Sequence, residues 1–447
     1  MTMPTPIADV AEILERRLSG LQKRVVALCG AILFVEGVNA QAAGYIAPAL
    51  LRGWGLSSGE LTSFLVSGLV GLMFGGLMVA PLADKVGRRP ILIACVALFG
   101  LGSLLSAVSP SIAVLDALRF LTGLGVGGAM ANAISLTAEY SPQRMRSTMV
   151  AITLIGFIVG SVVVGLVAAA LIPAYGWQSV LVVGGLISLL LVPLLLVALP
   201  ESIRFLVLRE NSRAAVAQLI GRIDPSVAID ANTRLVVEER SASGISVLAL
   251  FHDGRARTTI LIWIIYFMSL LNLYLVASWL TVHITALGIE VGTAILIGTM
   301  FQAGGAFGSV FGWIVDRLGP SVAISSAYFI GAVAIACIGL AEANLLLLGL
   351  ATLAAGFGII GGQSAANALA AISYPTQIRS TGVGWATGIG RVGSIVGPGL
   401  AGIFIGMGVS TQHIFYMAVV PALIASLAGV TLGVFRRPLA AKENAAE

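Results

Sequence analysis

Apolar runs of about 18 or more residues recur along the whole chain, each long enough to cross ~30 Å of hydrocarbon as one helix. Only 10% of the 447 residues are charged, 58% are apolar and the mean hydropathy is +1.02. A soluble domain carries about 25% charged residues, so lipid must solvate most of this chain. Glycine is abundant at 54 residues, as close packing of membrane helices requires. The fold class that follows is an all-α membrane protein.

Twelve candidate spans are centred near residues 36, 73, 100, 125, 159, 188, 270, 303, 330, 357, 393 and 424. One long polar segment separates the sixth from the seventh. The division expected is a cytoplasmic N-terminal segment over 1–24, a six-helix bundle over 25–199 and a cytoplasmic central loop over 200–257. A second six-helix bundle over 258–435 and a cytoplasmic tail over 436–447 complete it. No cleavable signal is evident, and the polar start reads as a short amphipathic helix before an uncleaved first span.

With these spans, every Lys and Arg except Arg52, Arg119 and Arg391 falls on one side. The positive-inside rule makes that side, with both termini, cytoplasmic. The expected location is therefore the cytoplasmic (inner) membrane. The pI of 9.3 is thus a matter of topology, and no nucleic-acid partner is expected. Cys29, Cys95 and Cys337 sit in apolar runs without metal-like spacing and read as buried thiols. His283 and His413 likewise lack ligand spacing, so neither metal nor cofactor is expected.

The halves repeat. "GLGVGG" (123–128) matches "GFGIIG" (356–361), "YSPQRMRST" (140–148) matches "SYPTQIRST" (373–381), and Asp84 matches Asp316. A duplicated six-span unit is a transporter architecture, with two bundles rocking about a site at their interface.

"PLADKVGRRP" (81–90) resembles the signature between spans 2 and 3 of the major facilitator superfamily, and "DRLGP" (316–320) is its degenerate copy. Four further stretches are similar to the aromatic acid:proton symporters of that superfamily. They are "EGVNAQAAGYIAPAL" in span 1, "LRFLTGLGVGGAMANAISLTAEYSP" in span 4, "PESIRFL" (200–206) after span 6 and "GIGRVGSIVGPGLAG" in span 11. The resemblance implies two pseudo-symmetric six-helix bundles, a monomer, and an aromatic carboxylate carried with protons. It also implies gating roles for Asp84, Arg88, Glu139 and Asp316, and Arg146 and Arg379, near Glu139 at the cytoplasmic end, join them as gating candidates. Glu139 is expected to pair with Arg146 or Arg379. The family usually has two aspartates in the span 1 signature, where this chain has Glu36 and Asn39.

Ionisable groups at membrane depth are expensive and mark function by default. Glu36 and Asn39 are spaced i and i+3, which places them on one face of span 1. A carboxyl withdrawn from water accepts a proton more readily, so Glu36 is either a proton carrier or a protonated strut. Arg119 stays charged; Asp116, at i−3, could neutralise it, and the matching family position is an arginine that matters for transport. Arg391 has no acidic residue within a helical turn, so it suits bidentate capture of a carboxylate or a salt bridge to Glu36. Tyr45, Tyr266, Asn272, Tyr274, Trp279, Gln302, Gln363, Asn367 and Trp385 are candidates to contact a phenolic ring, or else helix packing.

The function expected is proton-coupled uptake of hydroxybenzoate- or vanillate-like acids; the alternatives are a carrier of another organic anion or a sugar-like metabolite, or a proton-coupled exporter. A sugar carrier would need no unpaired arginine. A drug exporter of the superfamily would carry a Gly-Pro signature in span 5, absent from "GFIVGSVVVGLVAAA". No nucleophile–base pair or nucleotide loop suggests an enzyme.

Overall fold

The computed structural model describes residues 7–16, 18–209, 213–226, 234–236, 247–252, 254–308, 310–375 and 377–443. Six spans form the first half: span 1 (Gly20–Trp54), span 2 (Ser58–Val86), span 3 (Arg88–Ala107), span 4 (Ile112–Tyr140), span 5 (Arg146–Tyr175) and span 6 (Gln178–Ala198). The second half has span 7 (Ala256–Ala286), span 8 (Val291–Phe307 continued by Val310–Leu318) and span 9 (Pro320–Leu340). Span 10 (Leu345–Ser373), span 11 (Arg379–Gly406) and span 12 (Thr411–Glu443) follow. Among the described residues, 11 helices are long and apolar enough to cross a membrane, and Val291–Phe307 is a shorter apolar helix.

Local chemistry sets the ends. Span 1 opens with a capping box: the Gln22 N–H donates to Ser19 Oγ (3.2 Å) and the Ser19 N–H to Gln22 Oε1 (2.8 Å). It closes at Gly55, whose φ of 60° is left-handed and favours glycine.

Packing reproduces the repeat. In the first half Gly160 of span 5 lies against the Phe34 carbonyl of span 1, where an added Cβ would stand 2.0 Å from the oxygen. The same contact joins Gly393 of span 11 to Phe267 of span 7, at 2.3 Å. Backbones that touch in this way leave no room for any other residue. Even the irregularities coincide. Span 2 loosens into a π-helical turn over Gly75–Val79, and span 8 breaks after Phe307, next to Gly308, which is 233 positions after Gly75.

The chain is not purely helical. Ile7–Asp9 and Arg234–Val236 form a two-stranded parallel pair, which joins the N-terminal segment to the central segment. These strands, with the loops between spans 2 and 3 and spans 4 and 5, lie at the end rich in Arg and Lys, here termed the basic face. The opposite end is the far face.

Among the described residues the bundles meet most extensively through spans 1 and 7, 2 and 11, and 5 and 8, with span 1 also touching span 8. Their close contacts lie toward the far face. Thr281 Oγ1 donates to the Gly44 carbonyl (2.6 Å), and Arg52 Nη2 donates to the Thr285 carbonyl (3.1 Å). Gly165 lies against Thr299, and Gly402 against Thr62. Toward the basic face, Gly384 and Gly388 of span 11 have nothing within 4 Å of an added Cβ. The bundles are therefore sealed at the far face and splayed at the basic face.

Candidate functional site

Span 11 carries Arg391 to mid-depth on the same side as Gly384 and Gly388. Its Nη1 donates to Tyr274 Oη of span 7 (3.2 Å), and its Nη2 reaches Met130 Sδ of span 4, across the bundle interface (3.7 Å). A phenol and a thioether are poor acceptors for a guanidinium, and no ion pair joins Arg391 to a carboxylate among the described residues. Glu36 lies within electrostatic reach of Arg391. It is fully buried, and neither of its carboxyl oxygens has a hydrogen-bond partner among the described residues. A carboxyl group of one bundle and a guanidinium of the other thus sit near each other without closing into a salt bridge among the described residues.

Asn39 takes a different direction. Its Nδ2 donates to the Val35 carbonyl (2.7 Å) and to Ser188 Oγ of span 6 (2.9 Å), inside the first bundle. Arg119 is 3% exposed, with Nε and Nη2 unpaired. No ion pair joins it to Asp116 among the described residues; Asp116 Oδ2 accepts the Ser63 hydroxyl (2.6 Å) and Oδ1 has no partner there.

In the second bundle a polar chain runs through spans 9, 7 and 10. Tyr328 Oη donates to Ser269 Oγ (2.6 Å), Ser269 to Gln363 Oε1 (2.6 Å), and Gln363 Nε2 to Asn367 Oδ1 (3.0 Å), which also accepts from Tyr266 Oη (2.8 Å). Asn272 is fully buried, with neither side-chain polar atom paired among the described residues. Gln302 is buried in span 8, and Tyr45 reaches across to Gly298 and Thr299 of that span. Trp279 Nε1 donates to the Pro398 carbonyl (3.1 Å), a packing role. His283 pairs with Thr411 (2.9 Å), and no metal-binding group occurs among the described residues.

Trp385 points elsewhere. It stacks on Trp263 (6.1 Å between centroids) and is 46% exposed, on the side shared with exposed Val392, Leu400 and Ile403. Six positions before Arg391 amounts to about 240° around the helix, so this ring faces away from the Arg391 side.

At the basic face Glu139 pairs with Arg88, not with Arg146 or Arg379. Arg88 Nε and Nη2 approach Glu139 Oε1 at 2.9 and 2.8 Å, and Asp84 lies 3.7 Å from Nη2. Arg146 and Arg379 are exposed, and Arg379 Nε donates to the Tyr374 carbonyl (3.3 Å). The side chain of Asp316 lies outside the described residues.

Sequence reasoning overlooked two partners of this cluster. Glu201 Oε1 accepts the backbone N–H groups of Arg88 (2.8 Å) and Arg89 (3.2 Å), placing a carboxylate on the N-terminus of span 3. Ser202 donates to Glu139 Oε2. The signal was "PES" in "PESIRFL", an acid beside a serine just where span 6 ends. Met130 was likewise overlooked, since a methionine in an apolar run carries no mark of its role.

Two repeated six-helix bundles, with unpaired charge at their interface and an opening to one face, define a multi-pass membrane transporter. Residues 27–278 match the family model described as Sugar (and other) transporter, and residues 262–447 match that of the Major Facilitator Superfamily. The chain belongs to the major facilitator superfamily.

Among curated relatives it is 41% identical over 418 residues, 93% of each chain, to the 4-hydroxybenzoate transporter PcaK of Pseudomonas aeruginosa. It is 39% identical to the gallate transporter of Pseudomonas putida, covering 94% of each chain. With the 3-(3-hydroxy-phenyl)propionate transporter of Escherichia coli the identity is 34%, over 90% of this chain and 92% of that one. Solved structures share the fold. A bacterial homolog of the human lysosomal transporter Spinster, inward-facing and occupied, gives a TM-score of 0.69 at 15% identity, over 95% of this chain and 98% of that one. The xylose transporter XylE of E. coli, partially occluded and inward open, gives 0.68 at 16%, over 92% and 97%.

Proposed function

We propose that this protein imports aromatic carboxylates of the hydroxybenzoate type across the cytoplasmic membrane together with protons. One observation carries the reading: among the described residues the Arg391 guanidinium is held at the bundle interface by Tyr274 and Met130, neither of them a carboxylate, with buried Glu36 nearby. A carboxylate is a far better partner for a guanidinium than a phenol and a thioether. Its arrival displaces both, and with Met130 it removes a contact that joins span 4 to span 11. Relatives named for 4-hydroxybenzoate, gallate and a hydroxyphenylpropionate support the aromatic class.

The basic face is cytoplasmic, and the chain works as a monomer in the lipid bilayer. The bundles of residues 25–199 and 258–435 rock as units, with the Asp84–Arg88–Glu139 cluster bracing the cytoplasmic rim of the first. Arg146, Arg379 and Asp316 act at the same rim. Protonation of Glu36 removes a negative charge that otherwise competes with substrate for Arg391, which links proton entry to substrate binding. Asn39 positions span 1, and Asn272, Gln302, Asn367 and Tyr45 contribute polar contacts to the ring or its path.

Uptake of radiolabelled 4-hydroxybenzoate and vanillate by expressing cells, with and without an uncoupler, tests the reading. The expected result is uptake that the uncoupler abolishes. Uncoupler-insensitive accumulation would remove the proton, and silence across hydroxy- and methoxybenzoates would remove the substrate class.

A further inference from the structure

Arg119 and Arg391 lie at different levels of the bundle interface. On span 4, Met130 touches Arg391, while Arg119 lies 11 positions nearer the far face on the same helix stripe. At 1.5 Å per residue that is about 16 Å along the axis, longer than a single-ring acid.

Helical side chains lean toward the N-terminus of their helix. Span 4 begins at the far face and span 11 at the basic face, so the two guanidinium groups lean apart. Arg119 is almost wholly buried, and Nε and Nη2 have no partner. No ion pair reaches it among the described residues, and Asp116, one turn away on the same helix, turns Oδ2 to the Ser63 hydroxyl. A guanidinium left unpaired at this depth lacks an anionic partner while the far-face contacts are closed.

We propose that Arg119 is a separate carboxylate-binding station, loaded from the far side when the seam at Gly44, Gly165 and Gly402 opens, and that it hands the acid on to Arg391. This rests on the reading of Arg391 given above and adds an order to it: capture at Arg119, then transfer across the interface, then release from Arg391 toward the basic face. The bond exchanged is the charge-assisted hydrogen bond of the carboxylate, and no covalent step is involved.

The test separates the stations by holding the carrier in the arrangement seen here. With the native cysteines replaced, a Gly165→Cys/Thr299→Cys cross-link keeps spans 5 and 8 together. Binding of radiolabelled 4-hydroxybenzoate is measured on the cross-linked protein in nanodiscs, and uptake KM on the same variants without the engineered cysteines. Arg119→Gln should raise the uptake KM about tenfold yet leave binding to the cross-linked protein within about twofold of the parent, whereas Arg391→Gln should abolish that binding. Arg119→Lys, which keeps the charge, should recover part of the KM.

Equal loss of locked-state binding in Arg119→Gln and Arg391→Gln would mean one shared site and overturn the proposal. So would an unchanged uptake KM in Arg119→Gln, which would leave that residue a structural role. Locked-state binding indifferent to Arg391→Gln would instead strike the functional reading itself, a distinguishable result. Retained binding in the cross-linked Arg119→Gln protein also shows that the variant is folded.

Discussion

Glu36 of the first half and Ser269 of the second stand 233 positions apart, at the same register of the repeat, and so do Ile158 and Arg391. Where the first half has an acid, the second has a hydroxyl already engaged with Tyr328 and Gln363. Where the second half has a cation, the first has an isoleucine. The duplicated scaffold has therefore kept its helix contacts while setting an acid of one half near a cation of the other across the interface. Asn39 and Asn272 show the same divergence. Asn39 donates to Ser188, but the position matching Ser188 in the second half is Pro421, and Asn272 is left without a partner. The comparison teaches that symmetry builds the carrier and its departures from symmetry make the site.

The hardest blow to this asymmetry is Arg391→Gln. It leaves the second half as uncharged at this point as the first is at Ile158, and uptake efficiency should fall about 100-fold, measured as kcat/KM for 4-hydroxybenzoate. Glu36→Gln removes the opposite charge at constant shape. Accumulation against a gradient should collapse while exchange of labelled for unlabelled acid persists; unchanged uncoupler-sensitive accumulation would take Glu36 out of the mechanism.

At the basic face the halves differ again, because Glu139 has Ile372 as its counterpart and only the first half has the Arg88 pair. Arg88→Gln leaves Glu139 without its ion-pair partner and should destabilise the detergent-solubilised protein by about 2 kcal/mol, seen as a lower Tm. Arg379→Gln, at an exposed site, should leave Tm unchanged. The smallest difference concerns the two asparagines. Asn39→Ala should lose about 1 kcal/mol with its bond to Ser188, whereas Asn272→Leu, which removes unpaired polar atoms, should hold or raise Tm. A drop in uptake by Asn272→Leu at full stability would identify Asn272 as a substrate contact.

The spans and their repeat were legible because lipid demands long apolar runs and the glycine contacts recur at fixed spacing. Arg391 and Glu36 were legible because charge is scarce. Which way a side chain faces was not. A helix that is apolar all around carries little rotational signal, so Trp385, grouped with the ring-binding candidates, proves to lie on the outer side with Val392 and Leu400. The Glu139–Arg88 pair escaped for another reason. Its choice of partner depends on how the segment after span 6 folds back onto the start of span 3, a contact between residues more than a hundred positions apart. The strand pair of Ile7–Asp9 with Arg234–Val236 is equally non-local.

The backbone contacts at Gly160 and Gly393 have an evolutionary consequence. A position where any side chain would collide with a neighbouring carbonyl can scarcely drift, so the skeleton of each bundle is frozen by its own tightness. Residues around the opening, such as Met130, Gln363 and Asn367, are under no such restraint. Variation among descendants of this carrier is thereby channelled toward the surface that meets cargo, and a new diet of acids can be acquired without learning to fold again.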